Sequence, residues 1–335
     1  MAEIVLIVML AALVIYAVFG GADFGVGIIE PFVRQREGID GAIAPVWEAN
    51  HVWLVLALVL AFVGFPEFYA LMTTYLHLPL LGVLFGIVAR GSAFTFRHYD
   101  PKPGGLAGWY TALFRAGSVL TPLFLGICMA ATASGEFPTD PKAGFYAWYI
   151  APWNTPFAWA TGLFVVALFA FEGAALLSAE HALAGLPLPH EGLARFTHVF
   201  AIFCGALVFT IAYFAELPWL TDLLGSGWAL AALTAATLLV PQVASAFDRG
   251  RPWRLRLAMG AQVSCVLFGF FAAQFPVLLR LDNRLLTYQD AVAPEATMRT
   301  LVWALVIGLV LILPGFVYLI LVYKAGPNSR LGRSH

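Results

Sequence analysis

Apolar runs of about 20 residues recur along the whole of this 335-residue chain, and that is the length a helix needs to cross roughly 30 Å of hydrocarbon. Only 11% of the residues are charged and 61% are hydrophobic, against roughly 25% charged in a soluble domain. A soluble enzyme is therefore excluded. The runs do not alternate apolar with polar residues, so they are not strands of a membrane barrel. The expected fold is all-α and polytopic, with nine transmembrane helices near 3–22, 45–65, 74–96, 112–133, 157–178, 196–215, 226–247, 255–275 and 299–323. The first run lacks a basic leader and an A-x-A-like cleavage site, so it reads as a retained helix.

An odd number of spans puts the two termini on opposite faces, and the basic residues then sort unevenly. Lys142, Arg280, Arg284 and Arg299 fall on one face, and the other 14 of the 18, Arg34, Arg36, Arg249, Arg251, Arg254, Arg256 and Lys324 among them, fall on the other. By the positive-inside rule the N-terminus faces out and the C-terminus the cytoplasm of a plasma membrane. Topology consumes the basic residues, and the net charge of −1 gives no reason to expect nucleic acid.

The chain reads as one transmembrane domain, 1–335, with a faint internal echo. Gly21-Ala22-Asp23 ends the first run and Phe171-Glu172-Gly173 the fifth; Phe65-Pro66-Glu67 follows the second and Glu216-Leu217-Pro218 the sixth. Two parallel four-helix units, 1–134 and 157–275, plus an additional C-terminal helix at 299–323 explain both pairs. The longest connection, 276–298, reads as a loop on the outer face.

Polar chemistry concentrates where it is most expensive. Trp47-Glu48-Ala49-Asn50-His51-Val52-Trp53 puts a carboxylate, an amide and an imidazole within four residues at a membrane boundary. Topology brings Asp23, Glu48 and Glu172 to the same leaflet. An ionised carboxylate buried without a partner costs enough that the group takes up a proton, which is what a proton relay requires. Glycines at 20, 21, 25 and 27 allow close backbone approach or a helix break beside Asp23. Arg90 and Arg97 end the third run on the same face and are candidate partners for these acids. The plainer alternative is that the acids are solvated at the headgroup boundary and the arginines are anchors.

Among the seven histidines, His51 and His77 are expected at membrane depth and His98, His181, His190 and His198 at loop boundaries. No two share one helical face at i, i+3 or i, i+4, which argues against a metal or haem site in this chain alone. Cys128, Cys204 and Cys265 lie inside spans and read as packing residues. Tryptophans such as Trp148, Trp153, Trp219 and Trp228 read as interfacial anchors, and no nucleotide-binding or nucleophile motif is present.

Gly20-Gly21-Ala22-Asp23-Phe24-Gly25-Val26-Gly27, Ile43-Ala44-Pro45-Val46-Trp47-Glu48-Ala49-Asn50-His51-Val52-Trp53 and Phe94-Thr95-Phe96-Arg97 closely resemble subunit II of the cytochrome bd-type ubiquinol oxidases. The resemblance covers the whole chain and is most specific over its first 100 residues. It implies a haem-free subunit of a terminal oxidase that oxidises quinol and reduces oxygen to water. The partner would be a larger subunit I carrying two b-type haems (heme b), one d-type haem (heme d) and the quinol site. A small single-helix accessory subunit, membrane lipids and a bound lipid or quinone are further implied partners.

In this family the acid of the W-[DE]-x-N motif, here Glu48, lies on a cytoplasmic proton-entry path, with the Asp23 region at the same entrance. His51 stands where many members carry glutamine, and Glu172 is an amide in some relatives. The site expected from residues and resemblance together is a path through Glu48, Asp23, His51, Asn50 and Glu172, supported by Trp47, Trp53, Arg90 and Arg97. No residue of this chain is expected to be catalytic or to ligate a cofactor or metal. Two other classes compete: a proton- or ion-coupled secondary transporter, which would place its acids nearer the midplane, and a purely structural tether for a haem subunit.

Overall fold

A computed structural model of the chain describes residues 1–33, 39–99, 107–135, 137–140, 142–184 and 191–325, with side-chain surroundings over 1–33, 50–97, 108–135, 137–140, 142–183, 192–311, 314 and 315. The fold is mostly helical. In chain order the helices are α1 (Ala2–Ile29), α2 (Ile39–Gly64), α3 (Pro66–Tyr75), α4 (His77–Tyr99), α5 (Ala107–Ser134), α6 (Phe145–Tyr149) and α7 (Pro156–Ala184). There follow α8 (Glu191–Phe214), α9 (Pro218–Gly225), α10 (Gly227–Asp248), α11 (Pro252–Gln274), the strands β1 (Val277–Arg280) and β2 (Leu285–Thr287), α12 (Tyr288–Ala291) and α13 (Glu295–Ala325). Among the described residues, seven helices are long and apolar enough to cross a membrane, or eight if one bent pair counts as a single span.

That bent pair is the first departure from expectation. The second apolar run ends at Gly64 and the chain turns through 115° into α3. Pro66 at the start of α3 has no N–H to give the preceding turn, and its ring drives Phe65 out of the helical region to φ −134°, ψ 64°. A second departure is α1, which runs unbroken past Asp23 to Ile29. The glycines around Asp23 do not break the helix; they let another helix in.

The helix they admit is α7. A Cβ on Gly25 would meet the carbonyl oxygen of Phe169, and one on Gly173 would meet the backbone of Gly25 and Val26. At Gly25 and Gly173 the two backbones therefore touch directly, while Gly21, four residues before Gly25, leaves room for the side chains of Phe169 and Glu172. Around this crossing, α1 also packs on α2, and α7 on α5 and α8, while α4 pairs with α5 and α10 with α11.

The expected loop at 276–298 is the third departure. It contains an antiparallel hairpin, β1 on β2, and the short helix α12, whose Thr287 and Asp290 form a reciprocal capping box. The hairpin is tied to the helix ends. Gln274 Nε2 donates to the carbonyls of Thr132 (3.1 Å) and Leu278 (3.0 Å), and Tyr288 Oη donates to Glu3 (3.3 Å). Arg280 pairs with Asp222 and Arg284 with Glu67. Backbone donors and acceptors that would otherwise go unpaired at the end of a bundle are thus satisfied. His198 also differs from expectation: it lies within α8, buried, bonded to Gln262 (3.2 Å) and stacked on Phe171 with ring centroids 4.4 Å apart.

Candidate functional site

At the heart of the bundle α1, α4 and α5 bring together a fully buried ion pair. Arg90 Nη2 donates to Asp23 Oδ1 at 2.7 Å and to the Asp23 carbonyl at 3.1 Å, and its Nε donates to Ser118 Oγ at 3.1 Å. Each partner's side chain is only 1% exposed. The guanidinium is clamped between two rings, 4.8 Å from the centroids of Phe24 and Phe114. Such stacking retains an arginine where an isolated cation would be expelled.

The pair is not fully satisfied. Asp23 Oδ2 and Arg90 Nη1 are buried without a hydrogen-bond partner among the described residues, as are Tyr16 Oη and Asn50 Nδ2. Tyr16 and His51 lie within electrostatic reach of Asp23 and Arg90, and their rings are 6.3 Å apart. Orphaned polar atoms of this kind are places where water fits.

Tyr16 and His51 also form one end of a large cavity of about 670 Å³. Its walls are mostly apolar side chains of α1 to α5, α7 and α11, such as Met9, Leu13, Leu54, Met72 and Leu168, with Gln274 and Phe275 to Leu278 also in the lining, and it opens to the surface past exposed Val55 and Leu84. This volume lies within the range of roughly 300 to 1,000 Å³ that small-molecule sites occupy. A polar end and apolar walls suit an amphiphile.

A second buried carboxylate lies just past the end of α1, about two turns beyond Asp23, in the short 3-10 helix Glu30–Phe32. Glu30, seven residues after Asp23, has a side chain with no exposure and accepts from Arg97 Nη1 at 2.9 Å and from Arg115 Nε at 3.2 Å. Arg97 in turn is seven residues after Arg90 on α4, so the two rungs repeat on the same helix faces. Phe114 lies between them, with the Arg97 guanidinium 4.9 Å from its centroid.

Arg90 therefore does pair with Asp23, whereas Arg97 pairs with Glu30, an acid that sequence reasoning passed over. The i, i+7 repeats Asp23/Glu30 and Arg90/Arg97 were the signal that could have found it. Glu172 is fully buried on α7 against Gly21, with neither carboxyl oxygen hydrogen-bonded. Asn50 is buried and His51 half-buried at the start of the described part of α2. Trp53 packs on two core clusters. The side chains of Trp47 and Glu48 lie outside the described residues. No group of three metal-ligating side chains occurs among the described residues.

Comparison with known proteins gives a consistent result. A family model described as cytochrome bd terminal oxidase subunit II matches residues 1–323. Cytochrome bd ubiquinol oxidase subunit 2 of Bacillus subtilis (strain 168) is 32% identical over 131 residues, 38% of each chain. Cytochrome bd-I ubiquinol oxidase subunit 2 of Escherichia coli (strain K12) is 23% identical over 335 residues, covering 89% of this chain and 87% of that one. The solved bd oxidase from Geobacillus thermodenitrificans contains a chain of the same fold, with a TM-score of 0.78 at 21% identity over 96% of this chain and 98% of that one.

Proposed function

Because the chain belongs to the family of cytochrome bd terminal oxidase subunit II, we propose that it is the haem-free subunit of an oxidase that oxidises quinol and reduces oxygen to water, and that it conducts protons toward the site of that chemistry. The family membership sets the transporter reading aside. Haems b and d and the site of quinol oxidation belong, in this reading, to the larger subunit I, where the haems carry electrons to oxygen. The relatives named as ubiquinol oxidase subunits support the substrate class, and His198, held by Gln262 and Phe171, has a structural role within this chain.

The observation that carries the proton role is the Asp23–Arg90 pair, buried yet left with an orphaned atom on each partner. In the proposed path Glu48 takes a proton from the cytoplasm, and water held by Asn50, His51 and Tyr16 passes it to Asp23. Arg90, bonded to Asp23 Oδ1 at 2.7 Å, offsets the charge of the carboxylate when its proton has moved on. Glu172 forms a side branch at the α1–α7 crossing. The apolar cavity beside Tyr16 and His51 takes the tail of a quinone or lipid. The chain lies in a bacterial or archaeal plasma membrane with its N-terminus outside and spans it nine times, α13 being the ninth. The short proline-led helices α3 and α9, each after the second span of its unit, support the two-unit repeat.

Asp23→Asn and Glu48→Gln test the path in the assembled complex. Oxygen consumption per haem should fall several-fold in both, since acid–base proton transfer typically contributes about 10² to 10⁴ in rate, while Asp23→Asn, which leaves buried Arg90 uncompensated, should also lower the yield of complex and Glu48→Gln should not. Full turnover in both variants would leave the tether reading in place.

A further inference from the structure

The turn between α10 and α11 carries positive charge that no acid among the described residues neutralises. It reads Asp248-Arg249-Gly250-Arg251-Pro252-Trp253-Arg254-Leu255-Arg256. Both nearby acids are already taken, Asp248 by Arg195 and Glu180 by Arg256. Arg249, Arg251 and Arg254 are exposed, and their side chains have no ion-pair or hydrogen-bond partner among the described residues. Three cations thus remain within six residues.

The backbone adds to the same potential. Gly250, at φ +56°, turns the chain with open space around it, and α11 starts at Pro252 with no side-chain cap from Arg251. The first turn of this 23-residue helix therefore presents unpaired N–H groups and the positive end of its dipole. Trp253 sets the depth. Its side chain is 57% exposed and lies under the Arg256 guanidinium, 5.2 Å from the ring centroid. An exposed tryptophan at the end of a membrane helix sits at headgroup level.

We propose that this turn binds the phosphate of an anionic phospholipid, with Arg249, Arg251 and Arg254 as its ligands. Anchoring by the positive-inside rule needs only charge on the correct face. Here three exposed arginines flank an uncapped helix start beside an exposed tryptophan, after the local acids have been used. Each arginine near a lipid surface favours an anionic headgroup by about fivefold, so three together give a preference on the order of a hundredfold over a zwitterionic lipid.

The test uses the whole oxidase complex in nanodiscs of phosphatidylcholine alone or of phosphatidylcholine with phosphatidylglycerol at about 3:1. Native mass spectrometry counts the lipids retained per complex, for the wild type and for the variant Arg249→Gln/Arg251→Gln/Arg254→Gln. The wild type should retain phosphatidylglycerol that the variant loses, with haem content unchanged. If the triple variant does not assemble, Arg251→Gln alone should weaken retention about fivefold. Equal retention by wild type and variant overturns the proposal. So does displacement of the lipid by inorganic phosphate at matched ionic strength, which would make the turn a site for the free anion.

Discussion

Glu30 has no exposed side-chain atom, yet it holds the two arginines that close one end of α1, α4 and α5. Deleting one member of a buried ion pair typically costs about 3 to 5 kcal/mol, because the remaining charge is left uncompensated. Glu30→Gln removes the carboxylate that Arg97 and Arg115 share. The complex should then melt earlier and be recovered in lower yield. Arg97→Ala should be milder, since Arg115 still holds the carboxylate. Thermal melts followed by haem absorbance, with yield per cell, rank the two variants. Equal melting of Glu30→Gln and the wild type would reduce the triad to a solvated boundary cluster. Asp23 and Arg90 were individually legible as an expensive acid and an expensive base in apolar runs. Their partnership was not, because it joins residues 67 positions apart.

At the scale of elements, the α1–α7 crossing depends on the absence of side chains. Gly25→Ala would push a methyl into the Phe169 carbonyl, and overpacking of this kind costs about 1 to 3 kcal/mol. Assembly of the complex should fall for Gly25→Ala and remain normal for Gly108→Ala, a position with nothing within 4 Å; blue-native gels with haem staining compare them. The hairpin cap makes a different prediction. Hydrogen bonds from the Thr139 hydroxyl (2.6 Å) and the Thr139 amide (3.1 Å) hold the Asp282 carboxyl below the usual carboxylate range.

A depressed folded-state value means that the charged form is favoured by folding. The tether is therefore complete above the ordinary aspartate value of about 3.9 and is lost as pH falls through the lowered one. Amide exchange at Thr139 and along β1 should stay slow at about pH 6 and accelerate only once pH has fallen below the ordinary aspartate value of about 3.9. Acceleration already near pH 5 would assign the tether to another group. The hairpin itself escaped sequence reasoning. Its strands are four and three residues long, too short to carry a period against a helical background.

For the whole molecule, the cavity is the feature that no single element contains. Ala57 lines it from α2 and is 4% exposed. Ala57→Phe should occupy part of the cavity and displace a co-purifying quinone or lipid while leaving haem content intact, as extraction and mass spectrometry would report. An unchanged amount of bound amphiphile would place it elsewhere. The sequence by itself determined that this chain crosses a membrane many times, which acids and bases are costly enough to need partners, and which family motifs it carries. Those follow from composition and local spacing, since each apolar run must satisfy its own backbone within one helix. Only the tertiary structure decided which charges meet, that Arg97 serves Glu30 while Arg90 serves Asp23, that glycines admit α7 without breaking α1, and that the helices line an open apolar cleft that includes Tyr16 and His51. Such pairings depend on how helices far apart in the chain rotate and cross, and hydropathy records which residues are apolar but not which faces touch.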